Sequence, residues 1–451
     1  FHCVLCLSEA KGMDIIMKVL WFSVTPVLSG EVEFESDNGF NGGGWIDSLL
    51  KYMPVQVGEL EIYVCYLKWG IAEMKMKKSS VREGITYVVV PSASPYMDKF
   101  SEQMSKDIFA IYQEVKPDIV HLFGTETVNT NNVIKIVGKE KCLISLTGLI
   151  SFYSKHYFAE IYQEMRKNIT LRDLYKGSIF KNYKKFCKNA ETEVDTLEYA
   201  KYVTGRTSWD YAGSKLVNSE LKYYFCNENL RDSFYEHIWK YEECEKYSIF
   251  ASSSASPLKG FHKLLDALPY VLKKYPQTKV YVTGEDCVEF GSLYERMKRT
   301  GYQKFLASKI KKMNLENVIQ FTGPLSEKQM ADRCVKSNVY VLASCIENSP
   351  NSLCEAMLMG VPSVAANVGG VSNLIISGEE GFTYPFSESY TLAYRIMQLF
   401  EDVDLCRKFS QKARCRAMER HDRMKNAETM KRIYQNILEV EANEKSFDCN
   451  V

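Results

Sequence analysis

The sequence predicts an α/β protein made of two parallel-sheet domains, and three observations predict it. The chain has 451 residues, too many for one ordinary core and enough for two. Short β-rich runs alternate with amphipathic helical stretches in two successive series, the pattern of parallel strands joined by crossover helices. A charged junction at residues 241–246 separates the two series.

In the first series, residues 19–24 read as a strand, followed by the loop Gly42-Gly43-Gly44 and a helix near 46–53. Strands follow near 62–67 and 86–90. A helix over 99–113 leads into a strand at 118–123; 142–146 is the next strand and 201–205 the last of this domain. The second series opens with a strand at 247–251 that runs into the loop 252–259. The next helix presents Phe261, Leu264, Leu265, Leu268 and Leu272 on one face and is interrupted by Pro269. Strands near 279–283, 318–322, 339–342 and 363–366 follow, and polar helices from about 387 to 440 finish the chain. The expected division is 17–243, 244–420, and a helix and tail at 421–451 that return toward the first domain. Residues 1–16 do not begin with Met, show no pattern and read as a non-native or upstream extension.

Apolar residues make up 46% and charged residues 25%, a globular composition. A formal net charge of +1 gives no bulk field for nucleic acid, so anions must be bound locally, which favours a small-molecule site. The 14 cysteines are scattered; apart from Cys3-x-x-Cys6 they show no metal-ligand spacing and no disulfide rhythm. They read as reduced thiols of a cytoplasmic protein. The run from Met17 to Val24 reads as a buried strand and not a signal peptide, for it lacks a second basic residue and a small-residue cleavage site. No apolar run is long enough to span a membrane, so contact with its inner face would be peripheral; Lys75, Lys77 and Lys78 are the candidates, and a solvated charged face is the more frequent explanation of such a run.

The chemistry concentrates in Glu347-Asn-Ser-Pro-Asn-Ser-Leu-Cys-Glu355-Ala-Met-Leu-Met-Gly-Val-Pro, directly after the strand 339–342. Ser349 can cap a helix that begins at Pro350 and stops at Gly360. Such a helix starts at the carboxyl end of a parallel strand, where open α/β sheets bind ligands, and its free N–H groups and positive dipole end suit a diphosphate. Asn348, Ser349, Asn351 and Ser352 lie at this tip. The carboxylates of Glu347 and Glu355 can accept hydrogen bonds from neighbouring hydroxyls at opposite ends of one ligand, a sugar and a ribose diol. Two glutamates eight apart also suit a solvated loop and a surface helix.

This pattern resembles glycosyltransferase family four, with its GT-B fold of two Rossmann-like domains whose parallel sheets face a central cleft. The likeness rests on Glu-x7-Glu and its continuation, Gly360-Val-Pro, Asn367-Val-Gly-Gly-Val and Gly378-Glu-Glu-Gly-Phe. Ser256-Pro-Leu-Lys259-Gly260 resembles the family's Pro-x-Lys-Gly loop, in which Lys meets the donor diphosphate. Gly284-Glu285 and Gly323 resemble its donor-pocket loops. The resemblance implies an acceptor-binding first domain, a donor-binding second domain, and Glu347 and Lys259 as catalytic groups. On the acceptor side it points to Gly43, Gly44 and Glu126; His121 instead reads as a buried, hydrogen-bonded residue. The sequence departs from the pattern twice. Thr147 stands near the expected place of a first-domain His, and Ser253 or a neighbouring Ser replaces a phosphate-binding Arg, for which Arg206 is a candidate substitute from across the cleft; an arginine held by a structural partner is the alternative reading of Arg206. Segments 206–210 and 227–235 resemble bacterial surface-polysaccharide transferases.

The implied reaction is transfer of a hexose-type sugar from a UDP- or GDP-sugar to a hydroxyl of a glycan or polyprenyl-linked acceptor, with retention, in polysaccharide biosynthesis. The nucleotide-sugar is a substrate, and no cofactor or metal is expected. A GT-B sugar-nucleotide epimerase and a non-catalytic sugar-nucleotide-binding subunit are the alternatives. A nicotinamide dehydrogenase is disfavoured because no Gly-x-Gly-x-x-Gly follows the first strand of either half.

Overall fold

The computed structural model describes residues 16–34, 44–55, 59–289, 292 and 297–448. The expected extension, except Ile16, and Gly42 and Gly43 of the glycine loop lie outside the described residues.

Two sheets carry the fold. The first has eight strands, β1 (Met17–Ser23), β2 (Leu60–Lys68), β3 (Lys75–Lys78), β4 (Ile85–Pro91), β5 (Ile119–Phe123), β6 (Cys142–Ser145), β7 (Tyr202–Gly205) and β8 (Lys222–Phe225), in the order β3-β4-β2-β1-β5-β6-β7-β8. All neighbours are parallel except β3, which runs antiparallel to β4. The second has six parallel strands, β9 (Glu245–Ala251), β10 (Lys279–Val282), β11 (Ile319–Phe321), β12 (Ser337–Leu342), β13 (Ser363–Ala366) and β14 (Phe382–Tyr384), in the order β11-β10-β9-β12-β13-β14. Central strands such as β5 are buried along their whole length because helices cover both faces.

Four features differ from the reading of the sequence. The strand at 201–205 is not the last of its sheet: β8 pairs with β7, and its half-exposed Lys222–Phe225 run is only four residues long. The basic run at 75–78, where no strand is predicted, is the antiparallel edge strand β3; its three lysines are exposed, and the Lys77 amine is bound to the Glu33 carbonyl. The helix with Pro269 is not interrupted, running from Phe261 to Lys274, where burial of Leu264, Leu265, Leu268 and Val271 outweighs one missing N–H donor. Fourth, the helix after β12 is Asn351–Met359: Pro350 is its N-cap residue with ψ 113°, and Ser349 makes no capping bond.

The last helix, Arg423–Asp448, packs on the first sheet, where Ala427, Met430, Ile433, Tyr434 and Ile437 complete one face of its core. The Tyr434 hydroxyl accepts from Trp21 Nε1 at 3.0 Å and meets His121 Nδ1 at 2.7 Å. The other nitrogen of His121 meets Ser145 Oγ at 2.7 Å, and burial pushes the ring's pKa down to about 3, so His121 is a neutral core residue.

Candidate functional site

The described residues expected at the donor and acceptor sites lie beyond the carboxyl ends of parallel strands, or on the helices that follow them. In the second domain, Lys259 and Gly260 follow β9, Gly284 and Glu285 follow β10, Gly323 follows β11, and residues 347–355 follow β12. In the first domain, Glu126 follows β5, Thr147 follows β6, and Arg206 follows β7.

Lys259 reaches Glu347: the amine donates to Oε1 at 2.7 Å. Glu347 is buried while the Lys259 side chain is 44% exposed, so the pair forms a wall with its cation facing solvent. Tight backbone contacts set this geometry. Gly260 adopts φ +65°, and a Cβ there would stand 1.7 Å from the Ala343 carbonyl oxygen, so only glycine lets the lysine loop pack on the end of β12. A Cβ on Gly369 would stand 2.0 Å from the Glu347 carbonyl oxygen, which accepts from Gly370 N at 3.0 Å.

At the helix tip, Asn351 Oδ1 is buried with no hydrogen-bond partner, and the Ser352 hydroxyl lies beside that of Tyr340. Asn348 is committed elsewhere. It accepts from Thr207 Oγ1 at 2.6 Å and donates to Asp210 Oδ2 at 2.9 Å, a buried clamp between the domains. Ser349 Oγ contacts Cys354 Sγ at 4.0 Å. Gly284 and Gly323 form an isolated bridge, and Glu285 accepts from Gln303 at 3.4 Å.

Glu355 is held by Arg231, whose Nε and Nη2 donate to its two carboxylate oxygens at 2.8 and 2.9 Å. Burial pushes the Glu355 carboxyl up, against the opposing pull of the guanidinium. Arg231 packs over the Phe234 ring at 4.7 Å and along Gly44, where a Cβ would approach its Cδ to 3.0 Å. Gly44 thus admits the arginine that holds Glu355. Sequence reasoning did not assign Arg231 to the site; an ion pair across 124 residues leaves no mark in local spacing.

On the first-domain side, the Thr147 hydroxyl donates to Glu126. Burial, and after it the neighbouring Glu193, push the Glu126 carboxyl up from 4.5 to about 7. Arg206 is buried, ion-paired with Glu228, and donates to the carbonyls of Leu146 at 3.3 Å and Thr147 at 3.0 Å. These partners all belong to the first domain, so Arg206 is engaged there and, among the described residues, makes no side-chain bond across the cleft. Tyr153 links the halves: its hydroxyl meets the Asn348 backbone N–H, and burial and then Glu347 push its pKa up. Among the described residues no group of three or more His, Cys, Asp or Glu could hold a metal ion.

Residues 235–416 match the family model described as glycosyl transferases group 1. Among curated relatives, N-acetyl-alpha-D-glucosaminyl L-malate synthase of Bacillus anthracis is 27% identical over 136 residues, covering 30% of this chain and 35% of that protein. The chain spans less than half the length of this relative and of the putative glycosyltransferase EpsD of Bacillus subtilis. Sucrose-phosphate synthase from Thermosynechococcus elongatus superposes with a TM-score of 0.67 at 14% identity, covering 94% of this chain and 100% of that one. The Anabaena protein HepE, in complex with UDP and glucose, superposes at 0.63 with 17% identity, covering 93% and 99%. The fold is GT-B.

Proposed function

We propose that the protein transfers a hexose-type sugar from a nucleotide-diphosphate donor to a hydroxyl of a glycan or lipid-linked acceptor, with retention of configuration, a reading supported by the match of residues 235–416 to the glycosyl transferases group 1 model. The observation that carries this reading is the 2.7 Å pair of Lys259 and Glu347 at the mouth of the helix Asn351–Met359.

Without donor the two charges neutralise each other. When a diphosphate enters, the exposed amine turns to its oxygens, and Glu347 is released to accept hydrogen bonds from the sugar. The transition state is oxocarbenium-like, with negative charge growing on the departing phosphate. Lys259 and the N–H groups of the helix tip are fixed close to where that charge develops, so they stabilise it with little reorganisation and without a divalent ion. The unpartnered Asn351 Oδ1 supplies an acceptor at the same tip. Glu355, oriented by Arg231, keeps free lone pairs for a ribose diol. Glu126 and Thr147 face the acceptor.

The epimerase and the non-catalytic subunit are less well supported, since the family match covers the lysine loop and both glutamates together. The UDP named for HepE makes UDP-sugars the first donors to test. Glu347→Ala should abolish transfer while the bare nucleotide still binds; full transfer by this variant would overturn the assignment.

A further inference from the structure

Between β6 and β7 the chain makes a long excursion. It leaves the cleft at Tyr153, crosses to the second domain, and returns along the helix Ile179–Tyr199. Its inner side is anchored. Ile161 and Met165 sit in the second domain's core, the Thr170 hydroxyl donates to the Arg299 carbonyl at 2.9 Å, and the Lys263 amine pairs with Glu160.

Its outer side is built differently. The helix Leu171–Lys176 starts with a capping box, in which Thr170 and Asp173 satisfy each other's backbone groups and Asp173 is buried. Fixed by that cap, Leu171, Leu174 and Tyr175 occupy i, i+3 and i+4, one face of the helix, and this face points outward. They are 67%, 74% and 97% exposed. The stripe is therefore held away from the core by a well-formed element. The chain on either side of it is basic: residues 155–188 carry nine Lys and Arg against three Asp and Glu, in a chain whose net charge is +1. Among the described residues, no ion pair engages Arg166, Lys167, Lys176, Lys181, Lys184 or Lys188.

We propose that this outer face is a docking surface for an anionic lipid bilayer, with Leu171, Leu174 and Tyr175 entering the headgroup region and the flanking lysines on lipid phosphates. A second copy of the chain fits poorly, because a two-fold contact would bring like charges together. A soluble polyanion would satisfy the lysines and leave the apolar stripe in water. Docking would hold the cleft at the bilayer, because Gly177 and Ile179 of the excursion line one depression with Ser256 and Pro257 of the lysine loop. Lipid binding is measured without donor or acceptor, so it stands or falls apart from the transfer reaction.

The test is flotation of the full chain with vesicles of phosphatidylglycerol in phosphatidylcholine, against phosphatidylcholine alone. The protein should float with the anionic vesicles only, and added salt should release it. Two surface variants, L171S/L174S/Y175S and K181E/K184E/K188E, should each lose at least about tenfold in partition with unchanged circular dichroism and melting. Absence of flotation, or wild-type partition by either folded variant, would overturn the proposal. So would self-association that the serine variant abolishes, or equal binding of polyglutamate by both the wild type and the serine variant.

Discussion

Replacing Arg231 with Ala isolates one buried interaction that joins stability to function. The Glu355 side chain is 6% exposed, and both its oxygens are engaged by one guanidinium. Removing that guanidinium leaves a carboxylate in a low-dielectric site without its cation, which costs roughly 3–5 kcal/mol. Melting falls about 2–4 °C per kcal/mol in a domain of about 150–250 residues, so a drop of roughly 6–20 °C is expected. The sign of the remedy is distinctive. Glu355→Gln in the same background removes the stranded charge and should recover part of the loss, giving a coupling on the order of 1–3 kcal/mol in a double-mutant cycle. Arg231→Lys keeps the charge but not the paired geometry, and should weaken nucleotide binding more than it lowers melting. Thermal unfolding and isothermal titration with UDP are the assays. A Tm within about 2 °C of wild type for Arg231→Ala, with no coupling to Glu355, would refute the reasoning.

Other perturbations give distinct outcomes. Lys259→Ala should reduce transfer at least about 100-fold, the scale of losing one preorganised charge-stabilising group, as read from initial rates with a UDP-sugar. Gly260→Ala sets a Cβ 1.7 Å from the Ala343 carbonyl oxygen at φ +65°, so Tm and transfer should both fall. Glu126 contributes stability that is full below 4.5 and lost as pH rises through about 7, at most about 3 kcal/mol. Denaturant unfolding across that window should show wild type declining with pH and Glu126→Gln declining less.

The sequence exposed those parts of the fold that rest on burial. Strands β5 and β12 are buried on both sides, and the apolar residues flanking His121 in β5 and the run Val339–Leu342 in β12 mark them along the chain. Strand β8 lies at a sheet edge and is only four residues long, half-exposed, so its aromatic residues give no buried alternation to read. Pro350 shows a subtler limit: proline fixes φ, here −66°, but leaves ψ free, and ψ of 113° puts it just outside the helix. At the site, glycines and short motifs bring Lys259 to Glu347 because strand order in a doubly wound sheet does so. The partners of Glu355 and Arg206 come from segments 124 and 22 residues away, and no pattern along the chain says which cation meets which acid. The Thr207–Asn348–Asp210 clamp is hidden for the same reason, since all three residues are ordinary cap and turn types.

The placement of Tyr434 carries a consequence for how the protein is made. Trp21 and His121, among the early residues to leave the ribosome, wait for a hydroxyl more than three hundred residues downstream. Until that segment emerges, the amino-terminal lobe carries an open apolar face, and so it matures after the lobe that follows it in translation.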